Sequence, residues 1–166
     1  MNSGIRYKFR QQTIRKVTGQ NQREVVFPVF NAIKSVGVVA GEPFSTEWVS
    51  KLFGPRVNVH VLEFVGRKRE KDEVNSVVYL NDLNFWGLPK ATMVETFIAT
   101  PYDLLLNFTD QNNDAIEFVC AKSVAKFKVS SKLNGKIYDL VITGTSRYPV
   151  FLEELKRTLI NLNTKI

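Results

Sequence analysis

The sequence predicts an α/β fold, a single three-layer, Rossmann-like domain built on a mostly parallel sheet of about five or six strands. Three observations carry that expectation. Short apolar runs such as Ser35–Ala40 and Tyr102–Phe108 show no alternation, as strands buried on both faces do. Stretches with apolar residues at helical spacing separate these runs. Breakers at Gly41-Glu42-Pro43, Gly54-Pro55 and Gly144 mark the changeovers between the two.

A chain of 166 residues is the length of one domain and buries enough surface to need no staples. Its hydrophobic fraction of 44% and 12 phenylalanines supply a core and exclude wholesale disorder. The single cysteine excludes an intrachain disulfide. No run approaches the ~18 apolar residues of a membrane span, and the first residues lack the apolar core of a signal peptide. A reducing, cytoplasmic setting is the expectation.

The net charge of +7 is unevenly distributed. Residues 1–34 hold seven of the 23 basic residues, but only Glu24 of the 16 acidic ones. The sequence therefore divides into a basic N-terminal arm or helix, 1–30, and a nearly neutral Rossmann-like domain, 31–166. In the arm, Ile5, Phe9 and Ile14 make a thin helical stripe that Gly19 interrupts. Val25–Phe30 is more apolar and reads as a cover laid across the domain, since Pro28 disfavours a central strand.

Ser35–Ala40 is the first strand. Ser45 is placed to cap a helix that turns Trp48, Val49, Leu52 and Phe53 inward and stops at Gly54-Pro55. Val57–Val65 is the second strand, followed by a mixed-charge surface loop over 66–73. Ser76–Leu80 reads as a third strand near an edge. An aromatic loop, Asn81–Pro89, leads to Thr92-x-x-Glu95, a capping box opening a helix that buries Met93, Phe97 and Ile98 and ends before Pro101. Tyr102–Phe108 is the central strand. The next helix is capped by Asn112 or Asn113 and buries Ala115, Ile116, Val119 and Cys120, which makes Cys120 structural. Ala125–Ser130 alternates like a half-exposed strand, and Asn134-Gly135 reads as a turn. Tyr138–Thr143 is the last strand. The final helix starts near Pro149 and carries Phe151, Leu152, Leu155, Leu159 and Leu162 on its buried face.

Two resemblances attach to these residues. The runs Asn81–Gly87, Tyr102–Asn107 and Ala121–Val129 look like a family of bacterial domains of unknown function, of similar length and with a basic N-terminal segment. That likeness covers nearly the whole chain and implies no activity. Tyr102–Val129 is also similar to a segment in the N-terminal half of heptosyltransferase-type glycosyltransferases, where a "YDLVIDLQ" strand leads through a helix to a basic strand. Asn107 and Thr109 depart from that pattern. The glycine-rich loop and aspartate expected after the first strand are absent from Gly41-Glu42-Pro43.

If strand order reverses between the first and fourth strands, Gly41, Glu42 and Ser45 face Asn107, Thr109 and Asp110 across one crevice. Phe85 and Trp86 either form a stacking ledge for a sugar or base, or plug the sheet end. No catalytic residue, metal ligand or cofactor is assigned. His60 is the only histidine and reads as structural, and G-x-S-x-G, H-E-x-x-H and C-x-x-C are absent. Asp103 and Asp139 sit at the amino ends of strands, the wrong end for such a site. Three readings follow. The first is a non-enzymatic binding or interaction domain. The second is a small enzyme or binding protein for a sugar- or nucleotide-like ligand, with Glu42 and Asp110 as polar or acid–base groups. The third is contact with nucleic acid or an anionic membrane through Arg6, Lys8, Arg10, Arg15 and Lys16. An uncovered edge strand would favour a homodimer.

Overall fold

A computed structural model describes residues 3–69, 76–109, 113–132, 136–144 and 147–163. Among these, the chain forms an α/β fold of the Rossmann type. Its elements are α1 (Ser3–Gln20), β1 (Ser35–Ala40), α2 (Glu47–Phe53), β2 (Asn58–Phe64), β3 (Val77–Val78), α3 (Ala91–Ala99), β4 (Leu104–Asn107), α4 (Asp114–Lys122), β5 (Lys128–Ser130), β6 (Leu140–Val141) and α5 (Tyr148–Asn163). The six strands lie in the order β3-β2-β1-β4-β5-β6, and every pairing is parallel.

The two faces of the sheet bury different residues. Val39, Leu62, Phe64, Tyr102 and Leu105 pack under α3 and α4, with Ile14 of α1 joining them. Val36, Val38, Leu104, Leu106 and Val129 pack under α2 and α5. Neighbouring residues of β1 and β4 point to opposite faces, so both strands are apolar throughout. The edge strands β3 and β6 are two residues each, which leaves little unpaired backbone for another chain.

Gly37 sits in the middle of β1, where a glycine costs stability unless something needs the space. Tyr102 needs it. A Cβ at Gly37 would lie 2.7 Å from Cδ2 of the Tyr102 ring. The ring crosses β1 there and reaches His60, the residue of β2 in register with Gly37.

The amino end of the sheet is closed by two aspartates. Asp103 accepts hydrogen bonds from the backbone N–H groups of Lys34 and Ser35 and from the Ser35 hydroxyl, and its other oxygen meets Lys126 Nζ at 2.8 Å. Asp139 accepts from the Lys128 backbone N–H at 2.7 Å and pairs with Arg23. Burial by itself would raise the Asp103 carboxyl. The hydrogen bonds from Lys126, Lys34 and Ser35 outweigh it and hold the group below its ordinary range.

Several local expectations are corrected. The helix cap falls at Thr46 rather than Ser45, and Trp48 is exposed, because only Val49 of this short helix reaches the sheet fully. Thr92-x-x-Glu95 forms no capping box: α3 begins at Ala91 and has no side-chain cap. Gly19 does not break α1, which continues to Gln20, and Ile5 faces solvent while Ile14 is buried. Leu162 is exposed at the end of α5. Ala125–Ser130 is not half-exposed. All three residues of β5 are buried, including Lys128, because the strand is internal and covered on both faces. Asn113 caps α4, accepting from the N–H groups of Ala115 and Ile116. Asn112, Asn134-Gly135 and residues 70–73 of the charged loop lie outside the described residues.

The segment before β1 runs as the cover its sequence implies. Val26 donates its backbone N–H to Lys126 O at 3.1 Å, and Phe27 packs edge-on against Phe127.

Candidate functional site

β1 and β4 are adjacent, and the chain builds outward from them in opposite directions. Their carboxyl ends are therefore the switch point of the sheet. At β1 the chain leaves through Gly41, Glu42 and Ser45, all exposed. At β4 it leaves through Asn107 and Thr109, both buried. Asp110 lies outside the described residues.

Of these groups, the fold brings Gly41 and Thr109 together. A Cβ at Gly41 would lie 3.2 Å from Thr109 Cγ2, so Thr109 rests against bare backbone. Its hydroxyl is buried and has no hydrogen-bond partner among the described residues. The others turn elsewhere. Glu42 Oε1 accepts from the Tyr148 hydroxyl of α5. The Ser45 hydroxyl accepts from the Glu47 N–H at 3.4 Å. Asn107 enters a buried chain: its Oδ1 accepts the Thr109 N–H, its Nδ2 donates to the Tyr138 hydroxyl at 2.6 Å, and that hydroxyl donates to Glu117 at 3.1 Å. Burial, with the nearby Cys120 and Glu117, drives the Tyr138 ionisation well above its ordinary value. Burial does the same to the Cys120 thiol, pushed up to about 12, so this cysteine is chemically quiet.

Aromatic rings fill the crevice floor, but not those of the 81–89 loop. Phe44 stacks on Phe108 with centroids 5.1 Å apart, and Tyr148 meets both edge-on. Sequence spacing does not join three rings that stand in a turn, a strand end and a helix start.

Phe85 and Trp86 belong instead to α1, so they plug no sheet end. Trp86 stacks on Phe9 at 4.1 Å, its carbonyl accepts from Arg10 Nη1, and Arg6 lies over the Phe85 ring at 4.5 Å. Arg10 is also spent on Asp114 of α4, beside Gln11. The arm is thus a docked helix with two different sides. Arg10, Ile14 and Val17 face the domain. Lys8, Gln12, Arg15 and Lys16 are exposed on the far side. Among the described residues, Lys8, Arg15 and Lys16 have no ion-pair partner, and α1 contains no acidic residue. Phe85 remains 60% exposed beside Arg6.

A third feature lies between β2 and α3. Tyr102 and His60 meet there, hydroxyl to Nδ1 at 3.1 Å, in a cleft of about 420 Å³ that Ser76, Thr92, Thr96 and Thr100 also line. Burial raises the Tyr102 ionisation above its usual range. His60 is exposed because β3 covers only the carboxyl end of β2. A mid-strand position in the sequence carries no sign of so short a neighbour. Among the described residues, no group of three or more His, Cys, Asp or Glu could hold a metal. No described helix is long and apolar enough to cross a membrane.

The chain belongs to a family of unknown function (DUF6913), which it matches over residues 6–162. No curated protein and no solved structure matches it.

Proposed function

We propose that the protein is a non-enzymatic binding domain, and that the outward side of α1 is its contact surface for single-stranded nucleic acid. One observation carries this reading: Lys8, Arg15 and Lys16 stand exposed and unpaired on a helix without acidic residues. Unpaired cations on one helix face attract a polyanion and release its counterions on contact. The exposed Phe85 ring, held from beneath by Arg6, adds a surface on which a base can stack. The contact side of the helix is held rigid because its inner side is pinned by Arg10, Gln11 and Ile14.

Fluorescence anisotropy with a labelled single-stranded oligonucleotide tests the reading. Three phosphate contacts predict a slope of log K against log salt of about −2. Replacing Lys8, Arg15 and Lys16 together by glutamine should abolish binding, and Phe85→Ala should weaken it by ~1–3 kcal/mol. Salt-independent binding, equal binding by the triple variant, or a preference for anionic vesicles over the oligonucleotide would overturn it.

A second reading has its own observation. The Thr109 hydroxyl beneath Gly41 is a buried polar group at a switch point, unpartnered among the described residues. It supports a small sugar- or nucleotide-like ligand there, in line with the glycosyltransferase-like pattern of Tyr102–Val129. A sugar-phosphate and nucleotide panel that raises the melting temperature of the wild type, but not of Thr109→Val, would favour it.

A further inference from the structure

We infer that the protein holds a phosphate-class oxyanion in a cavity between the end of α1 and the start of β5. The cavity measures about 150 Å³, and Thr18, Asn21, Arg23, Lys128 and Lys136 are among the residues that line it. Three of these are cations, and none of the lining residues is acidic. The neighbouring carboxylate of Asp139 is already engaged: one oxygen pairs with Arg23 and the other accepts the Lys128 backbone N–H. Arg23 is thereby matched directly, while among the described residues Lys128 and Lys136 form no ion pair of their own, and Asp139 offsets Lys128 only in part.

Lys128 makes this arrangement costly as it stands. It is 1% exposed, and a buried ammonium is unfavourable unless it is paired. Its one hydrogen bond runs from Nζ to the Cys120 carbonyl at 2.6 Å. Two ammonium donors remain. Arg23 donates to the Ala125 and Lys126 carbonyls from Nη1 and to Asp139 from Nη2, which leaves Nε and one Nη2 hydrogen free. Lys136, at the exposed rim, completes a converging set of donors. Burial first, and then the adjacent Arg23, lower the Lys128 ammonium to about 8 against the opposing pull of Cys120 and Asp139, a shift that a bound anion would reverse.

The cavity size limits the ligand class. At 150 Å³ it falls below the roughly 300 Å³ at which sites for drug-sized ligands begin. A tetrahedral oxyanion with a water or two fits, and a whole nucleotide does not. Two lysines that form no ion pair among the described residues favour a dianion, which is either inorganic phosphate or the terminal group of a phosphomonoester. Asn21 spends both amide hydrogens on the Ala121 and Ser123 carbonyls, so the ligand would join Arg23, which follows α1, to the sheet and so help to hold the helix in place.

Thermal unfolding and isothermal titration of the full chain test the site, with sodium phosphate, O-phosphoserine and sodium chloride compared at equal ionic strength. Phosphate should raise the melting temperature where chloride does not. A rise with phosphate alone identifies the free ion, and a rise with both phosphate and O-phosphoserine identifies a phosphomonoester group; either result supports the site. Lys128→Met should abolish the response. Lys136→Gln, at the rim and harmless to the core, should weaken phosphate binding about tenfold, the loss of one charge-assisted hydrogen bond. Lys16→Gln, on the outer side of α1, should respond like the wild type. The absence of a phosphate-specific rise, an equal affinity in Lys136→Gln, or a lost response in Lys16→Gln would overturn the inference.

Discussion

The dipeptide Tyr-Asp opens two strands, and the two copies are used differently. At Tyr102-Asp103 and at Tyr138-Asp139, the aspartate does the same work: it accepts the first N–H groups of the neighbouring strand and takes a cation from another segment. The tyrosines diverge. Tyr102 lies across Gly37 and ends at exposed His60, in a cleft that water reaches. Tyr138 ends in the closed chain of Asn107 and Glu117. The cations diverge as well. Lys126 is 45% exposed, while Arg23 is 10% exposed and also holds two backbone carbonyls. An identical pair of residues thus meets an exposed histidine at the sheet centre and a closed polar chain near its edge, although both tyrosines are buried. Burial, rather than residue type, sets what each hydrogen bond contributes.

The largest loss of stability should come from Gly37→Ala. The added Cβ meets the Tyr102 ring at 2.7 Å, and overpacking of this kind should cost about 3 kcal/mol, read from urea unfolding. A loss under about 0.5 kcal/mol would mean that the ring moves freely, and the first copy would lose its rigid frame. Arg23→Ala should follow at about 2 kcal/mol, because it leaves the Asp139 carboxylate and two part-buried carbonyls short of a donor. The matching change in the other copy, Lys126→Ala, should cost at most about 1 kcal/mol, as exposed ion pairs do. Equal costs would erase the distinction.

The tyrosine hydroxyls sharpen the contrast further. Tyr138→Phe strands Asn107 Nδ2 in the interior and should cost ~1–2 kcal/mol. Tyr102→Phe should cost no more than about 0.5 kcal/mol, because water can replace its hydroxyl at His60. The smallest effect is one of pH. The Asp103 carboxyl lies below its ordinary value near 3.8 in the folded protein, so its contribution is present above that pH and is lost as pH falls through the folded value. Unfolding measured from pH 6 down to pH 2 should show this loss in the wild type, and less of it in Asp103→Asn.

Much of the fold was legible because burial on two faces leaves a plain mark. The apolar, β-branched run of Ser35–Ala40 and the run of Leu104–Leu106 carry their central positions in their composition. A cap at Asn112 or Asn113 was readable, and the structure uses Asn113; Cys120 was readable as a core residue from helical spacing. Among the described residues of the candidate crevice, Gly41 approaches Thr109 across the two strands, and Asn107 Oδ1 accepts the Thr109 N–H. Glu42 and Asn107 were drawn off by Tyr148 and Tyr138, which lie 106 and 31 residues away in the chain. Lys128 alternated with its neighbours as an exposed residue would, yet it is buried.

Local periodicity and composition were enough to set the α/β class, the parallel central strands and the concentration of basic residues in an arm or helix at the start. Tertiary structure alone decided where the polar groups went. A hydroxyl, amide or ammonium takes whichever partner the packing brings within about 3 Å. For Arg10, Arg23, Asn107, Tyr138 and Lys128, those partners come from elements that the chain reaches only by folding.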